Sequence, residues 1–148
     1  MFLADVNVWL ALAFESHVHH PSARNWFDSA ARNWFDSAAD GSCFFCRLTQ
    51  QGFLRLATNP KAFGDEAVPL RDAWRLYDAF VGDPRVACAV EPPNLEVLWR
   101  GHTQRRSFSP KVWNDAYLAA FAEAASLEIV TFDSGFTQYQ SAQCTILS

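Results

Sequence analysis

Short apolar runs alternate along the chain with longer segments in which apolar residues recur every three or four positions. The short runs are typical of buried strands and cover residues 2–5, 42–46, 86–90, 128–132 and 144–147. The longer segments are typical of amphipathic helices and cover residues 7–14, 21–39, 48–58, 69–82, 94–101 and 111–126. Strands that alternate with helices predict an α/β fold with a central parallel sheet of about five strands. With helices on both faces, the fold is expected to be a three-layer α/β/α sandwich.

The composition indicates one folded domain over residues 1–148. Hydrophobic residues make up 50% of the chain and charged residues 19%, which excludes intrinsic disorder. The net charge of −4 excludes binding of nucleic acid by bulk positive charge, so such binding would need a local basic patch. The chain has no apolar run long enough to span a membrane. Its N-terminal segment contains Asp5 and lacks a basic start, so we expect no signal peptide and a cytoplasmic protein.

Three aspartates occupy positions from which their side chains can converge. Asp5 ends the first predicted strand, Asp133 ends the fourth, and Asp115 lies in the first turns of the helix over residues 111–126. In an open parallel sheet, ligands bind beyond the carboxyl ends of the strands, where the strand order reverses. A single aspartate at a strand end is more often a helix cap or part of a salt bridge, but three in matching positions favour a shared site.

Clustered carboxylates repel one another, and a bound divalent metal relieves that repulsion. Ligand sets made only of oxygen favour Mg²⁺ or Mn²⁺ over zinc. Such metals bind phosphate oxygens and activate water, so the predicted chemistry is phosphoryl transfer.

Four segments resemble the PIN-domain ribonucleases, and among these the VapC-type toxins of bacterial toxin–antitoxin pairs. The segments read DVNVWLAL from Asp5, RLTQQGFLR from Arg47 (followed by Asn59-Pro60), NDAYLAA from Asn114 and IVTFD from Ile129. Each motif is weak by itself, but the four occur in the order and spacing of the family and span almost the whole chain. The resemblance implies an α/β/α domain, dependence on Mg²⁺ or Mn²⁺, endoribonuclease activity on an RNA substrate and a cognate antitoxin protein.

The resemblance also implies roles for individual residues. It makes Asp5, Asp115 and Asp133 the catalytic, metal-binding acids. Polar residues expected to support them are Asn7, Asn114 and Thr131. The family usually has a glutamate where this chain has Gln50, and an amide keeps one carbonyl oxygen but loses the charge. Gln50 is therefore expected at the rim of the site, as a weak metal ligand.

A basic stretch without acids leads into the helix that carries Asp115. Its cations, which we expect to contact the RNA backbone, are Arg100, Arg105, Arg106 and Lys111. An ordinary solvated loop is the alternative interpretation of these charges. Trp9 and Trp113 are candidates for stacking on a base, although core packing is the more common role of a tryptophan.

The main hypothesis is a metal-dependent endoribonuclease that acts as a toxin. One alternative is another Mg²⁺-dependent phosphoryl-transfer enzyme with a phosphorylated Asp5, but such enzymes usually have a second aspartate where this chain has Asn7. The other alternative is a non-catalytic module that keeps the fold to bind RNA or a protein, which the uncharged Gln50 motivates.

The predicted helix over residues 21–39 contains an identical tandem repeat. Residues 23–30 and 31–38 both read ARNWFDSA, too short a unit for a solenoid. In a continuous helix the copy adds about 12 Å of length and displaces its Trp-Phe pair. The alternatives are a looped-out insert and an exchange of N-terminal elements between protomers. Because the resemblance implies a dimer, we expect a long helix with Trp34 and Phe35 in a homodimer interface.

Overall fold

The computed structural model describes residues 1–32, 42–106 and 108–148. Within these ranges five strands form one sheet in which every pair of neighbours is parallel. The strands are β1 (Phe2–Ala4), β2 (Cys43–Phe45), β3 (Val86–Cys88), β4 (Glu128–Thr131) and β5 (Cys144–Ile146). The predicted parallel sheet is confirmed, with strands one or two residues shorter than the apolar runs suggested.

Helices cover both faces of this sheet. They are α1 (Val6–Ala13), α2 (His20–Arg32), α3 (Arg47–Ala57), α4 (Pro60–Phe63), α5 (Leu70–Val81), α6 (Leu95–His102) and α7 (Val112–Ala125). Successive strand residues point to opposite faces, so Ala4 packs with α1, α2, α3 and α5, while Leu3 packs with α6 and α7. This is the predicted α/β/α sandwich. No helix in the described ranges is long and apolar enough to cross a membrane.

Two helical segments differ from the sequence prediction. The dipeptide Asn59-Pro60 was expected to end a helix, but it also begins α4, because the Asn59 side chain accepts a hydrogen bond from the Lys61 amide at 3.0 Å. Proline is also favoured in the first turn of a helix. The helix predicted over residues 21–39 begins one residue early, at His20, and is described as far as Arg32. Trp34 and Phe35 lie outside the described residues, so the expected long helix stays a prediction.

The strand order places the ends of β1 and β4 side by side. The order is β3-β2-β1-β4-β5, so the chain moves outward from β1 to β3 and then returns to the other side of β1. The strand order therefore reverses between β1 and β4, where the Asp5 amide donates to the Val130 carbonyl at 2.9 Å. In folds of this kind, the crevice beyond these two strand ends is where ligands bind.

Candidate active site

Asp5 and Asp133 follow neighbouring strands and cap the elements that come next. Oδ1 of Asp5 accepts a hydrogen bond from the Val6 amide at 2.7 Å, at the start of α1. Oδ1 of Asp133 accepts one from the Gly135 amide at 2.8 Å, at the start of a 3₁₀ helix over Ser134–Gln138. Capping thus uses one oxygen of each carboxylate and fixes the direction of the other.

A buried hydroxyl connects these two aspartates. Thr131 is 0% exposed, and its Oγ1 donates to Oδ2 of Asp5 at 2.7 Å and accepts from the Asp133 amide at 3.0 Å. Asn7 completes the network, because its amide donates to Oδ2 of Asp5 at 2.8 Å and to Oγ1 of Thr131 at 2.9 Å. Asn7 and Thr131 therefore orient the Asp5 carboxylate.

Asp115 reaches the same place from the first turn of α7. Asp5, Asp115 and Asp133 all line one cavity of about 500 Å³, together with Asn7 and Asn114. Phe136, Lys111 and apolar residues of α1 and α7 also line this acidic cavity. Its remaining wall is helix α3, which contributes Leu48, Thr49, Gln51, Gly52, Arg55 and Leu56. The structure thus brings together the three aspartates that the sequence singled out.

The carboxylates of the acidic cavity differ in pKa. Burial raises the pKa of Asp5, and the charges of Asp115 and Asp133 raise it further, against the hydrogen bonds from Thr131 and Val6. Burial also raises the pKa of Asp115, where Lys111 lowers it and Asp133 raises it. The pKa of Asp133 is lowered, mainly by a hydrogen bond from Lys111 and then by the Gly135 amide. The cavity therefore carries excess negative charge that one lysine partly neutralises.

The chemistry of the donor set fits a hard divalent cation, but the described side chains are not arranged to hold one. All the candidate ligands are oxygens, which Mg²⁺ and Mn²⁺ prefer. In the described ranges, however, no three His, Cys, Asp or Glu side chains are placed so that they could hold an ion. The ammonium group of Lys111 donates to Oδ2 of Asp133, so a cation would bind this oxygen only in competition with Lys111. The Lys111 side chain is 68% exposed, so the ion pair with Asp133 is open to solvent.

Gln50 does not lie at the rim of the acidic cavity, contrary to the sequence expectation. It is 8% exposed and lines a different cavity, where its Oε1 accepts a hydrogen bond from Arg47. Each helical residue turns the side chain by about 100°, so one position along α3 decides which cavity it faces. The α3 residues that face the aspartates include Gln51, Gly52 and Arg55.

Gly52 allows α3 to approach α1 closely beside the aspartates. A Cβ atom at this position would lie 2.6 Å from Cγ2 of Val6, closer than two carbon atoms can pack. No side chain, acidic or otherwise, therefore fits at position 52 without a shift. Gln51, which directly precedes Gly52, brings an uncharged amide to the cavity wall.

Only one of the four cations expected to contact RNA lines the acidic cavity, and that is Lys111. Arg100 forms an ion pair with Glu96 at 2.6 Å, and Arg105 donates to Oε1 of Gln138 at 2.6 Å. Arg106 is exposed. These three arginines therefore lie outside the cavity, and any contact with RNA would be peripheral.

From the sequence, Arg47 and Arg55 flank the helix that carries Gln50 and could either contact the RNA backbone or pair with aspartates; in the structure Arg55 lines the acidic cavity. It is exposed, and within the described ranges it forms no ion pair, so its charge is available to an anionic ligand. Arg55 follows Gln51 by four residues and so shares its face of α3, a signal that could be used only once that face was known.

The chain belongs to the PIN domain family, whose sequence profile matches residues 2–141. It is 45% identical over 152 aligned residues to the ribonuclease VapC41 of Mycobacterium tuberculosis, an alignment that covers 100% of this chain and 99% of the relative. It is 34% identical to the ribonuclease VapC38 of the same organism, over 91% of this chain and 86% of the relative. Family membership thus rests on nearly the full length of the chain.

Solved structures share the fold at low sequence identity. One is the VapBC2 complex of Rickettsia felis bound to a DNA fragment from its promoter. A chain of that complex superposes with a TM-score of 0.67 at 12% sequence identity, and the match covers 99% of this chain and 98% of that chain. VapC20 of Mycobacterium tuberculosis, a toxin that cleaves the sarcin–ricin loop, superposes with a TM-score of 0.61 at 15% identity, covering 93% and 94%. These similarities support the α/β/α architecture.

Proposed function

We propose that this chain is a Mg²⁺- or Mn²⁺-dependent endoribonuclease and the toxin of a toxin–antitoxin pair. The observation that carries the proposal is the convergence of Asp5, Asp115 and Asp133 in one cavity where the strand order reverses. Relatives called ribonucleases, at up to 45% identity over the full chain, support the activity. We further propose an antitoxin as protein partner, since similar folds occur in VapBC complexes, together with a homodimer and a cytoplasmic location.

In this proposal the three aspartates hold the cation, while Asn7 and Thr131 orient Asp5 and Asn114 supports the cavity wall. The bound cation supplies charge to stabilise the phosphate oxygens and activates a water molecule for hydrolysis. Such supporting residues typically contribute about 10- to 100-fold to metal affinity or activity.

Lys111 and Arg55 are the cations best placed to bind the RNA backbone. Both line the acidic cavity, and both side chains are exposed. Lys111 pairs with Asp133 in the structure, and its exposed ammonium group could instead pair with a backbone phosphate that enters the cavity. Arg55 approaches the same cavity from α3, so a phosphate between them would be held by both.

The test is cleavage of a mixed RNA pool by the wild-type chain with Mg²⁺, with Mn²⁺ and with a chelator. Asp5→Asn is expected to lower the rate more than about a hundredfold, because even supporting residues of metal sites reach that effect. Asp65→Asn is the matched control, since Asp65 is exposed and lies away from the cavity. Equal cleavage by wild type and Asp5→Asn would contradict the proposal.

Two observations favour the second candidate, a non-catalytic module that binds RNA or a protein. The α3 face of the cavity presents the uncharged Gln51, and Lys111 occupies one oxygen of Asp133. If the wild-type chain binds RNA but does not cleave it with any divalent metal, this second function replaces the first.

A further inference from the structure

A second cavity lies beside the acidic one, on the other side of the same two helices. It has a volume of about 290 Å³ and opens beyond the carboxyl ends of β2 and β3, where Cys46 and Cys88 contribute to its wall. Helix α3 lines the acidic cavity with Gln51 and the second cavity with Gln50, and α7 lines them with Asp115 and Tyr117, respectively. The two cavities are therefore about one helix width apart, about 10 Å.

The second cavity is lined by aromatic side chains and by polar groups of three kinds: an amide, a guanidinium and a carboxylate. Its aromatic walls are Tyr77, Tyr117 and Phe121. Gln50 uses its Oε1 to accept from Arg47, while its NH₂ group has no hydrogen-bond partner in the described part of the chain. Glu91 accepts a hydrogen bond from the Tyr117 hydroxyl at 2.9 Å through one oxygen. An amide donor, an exposed guanidinium and a carboxylate thus line one cavity together with aromatic side chains.

The chemistry of these walls selects among ligands. A phosphate would be repelled by Glu91, and a divalent metal would find only one carboxylate. A purely apolar group would offer no acceptor to the NH₂ group of Gln50 and would shield it from water, which is unfavourable. A nucleobase fits, because its faces stack on aromatic rings and its edge offers both donors and acceptors; proteins read single-stranded RNA by this combination. Glutamine, arginine and glutamate are also side chains that recognise base edges.

We propose that this second cavity binds a nucleobase of the RNA strand close to the cleaved bond, and that Gln50 and Glu91 set the sequence preference of cleavage. The inference rests on the proposed endoribonuclease function and adds a specificity site to it. A strand whose phosphate lies in the acidic cavity crosses the start of α3 and α7 to reach the second one. Gln50 is then a base-reading residue, which explains why its amide faces away from the aspartates.

The experiment compares cleavage of a randomised RNA pool by the wild type and by variants, with cleaved positions identified by sequencing. Gln50→Leu removes the oxygen and the NH₂ group of the amide and keeps a side chain of similar size. Glu91→Gln replaces the carboxylate with an amide at an exposed position, where substitution is tolerated. Each is expected to reduce the preference at one nucleotide position by about tenfold. The metal concentration that gives half-maximal cleavage is expected to stay at its wild-type value. Gln140→Leu, at an exposed position outside both cavities, is the control and should keep the wild-type preference.

The outcomes separate this inference from the proposed function. Cleavage with an unchanged preference in both Gln50→Leu and Glu91→Gln overturns the inference and leaves the endoribonuclease standing. Weakened antitoxin binding by the variants, with the base preference unchanged, also overturns it and assigns the cavity to a protein partner.

If the wild type cleaves no RNA, the proposed function fails, and titration with the four nucleoside 5′-monophosphates decides the inference. Shifts of the Tyr117 ring resonances that Gln50→Leu removes would support a base site. No shift with any nucleotide would overturn it.

Discussion

At the scale of single residues, Asp115 and Asp133 line the same cavity but are expected to affect stability in opposite directions. Burial and the charge of Asp133 raise the pKa of Asp115, whose carboxylate accepts no hydrogen bond in the described ranges. Lys111 and the Gly135 amide lower the pKa of Asp133. A carboxyl with a raised folded pKa destabilises the fold where it is ionised, and one with a lowered pKa stabilises it.

The first prediction follows for the protein in the presence of a chelator. At pH 7, Asp115→Asn should increase the free energy of unfolding by about 0.5 kcal/mol or more, because it removes an unpaired charge. Asp133→Asn should decrease it by about 0.2–1 kcal/mol, because it removes the pair with Lys111 while the amide oxygen still accepts from Gly135. Urea unfolding measures both. Changes of the same sign would mean that charge repulsion does not govern the metal-free cavity.

The second prediction concerns the two neighbouring glutamines of α3. Gln51→Glu adds a fourth carboxylate to the acidic cavity and should tighten Mn²⁺ binding by about tenfold, since ligand charge tunes metal affinity. Gln50→Glu faces the second cavity and should leave Mn²⁺ affinity unchanged. Calorimetric titration with Mn²⁺ compares them directly. Tighter binding by Gln50→Glu than by Gln51→Glu would mean that α3 presents its other face to the metal.

These residues show how much of the site the sequence could predict. The aspartates were identifiable because each occupies a strand end or a helix start, and the fold alone brings such positions together. The side of α3 on which Gln50 lies could not be identified, because a shift of one helical residue turns a side chain by about 100°. The pair between Lys111 and Asp133 depends on packing of α7 against β4, and no local pattern links residues 22 apart.

At the scale of elements, Arg85 connects β3 to α2. Its guanidinium lies 4.0 Å from the ring centroid of Phe27 and forms ion pairs with Asp83 at 2.6 Å and with Asp28 at 3.5 Å. The hydrogen bond from Arg85 holds the pKa of Asp83 below its ordinary value, and the charge of Arg24 on α2 acts in the same direction. One arginine thus connects the start of a strand to the helix that carries the repeat.

The third prediction is a pH dependence of stability. Because the folded pKa of Asp83 is lowered, its contribution is present above its ordinary pKa of about 3.9 and is lost as the pH falls through the lower folded value. At neutral pH, Asp83→Asn should reduce the free energy of unfolding by about 0.5–1 kcal/mol, and this difference should shrink as the pH falls below the ordinary pKa of an aspartate. Urea unfolding from pH 7 to pH 3 checks it, with the exposed Asp65→Asn as the control. A difference from wild type that stays constant with pH would contradict it.

The elements themselves were largely predictable, and the exception is informative. The strands were found because buried parallel strands are short, continuously apolar runs. Helix α4 was missed because Asn59-Pro60 carries two signals, one that stops a helix before it and one that starts a helix after it. Both signals act here, since α3 ends at Ala57 and α4 begins at Pro60.

At the scale of the whole molecule, the tandem repeat leaves one aromatic pair to be explained. In the first copy, Phe27 is 5% exposed in the core, and the ring centroid of Trp26 lies 5.6 Å from that of Phe2 in an edge-to-face contact. The second copy has the same sequence, but its pair, Trp34 and Phe35, lies outside the described residues. The place in the core for a Trp-Phe pair on α2 is thus already taken by the first copy.

The last prediction is that the second copy serves assembly. Deletion of residues 31–38 should leave the fold and the acidic cavity intact, because the first copy already supplies the core contacts, and should weaken the proposed homodimer. The double variant Trp34→Ser/Phe35→Ser should also weaken the homodimer, without changing the length of the chain. The reason is that each buried aromatic side chain contributes about 1.5–3 kcal/mol to an interface or core. Trp26→Ser is the matched control and should lower the stability of the protomer instead. Sedimentation equilibrium measures the dimer, and a full-length chain that sediments as a monomer would contradict the prediction.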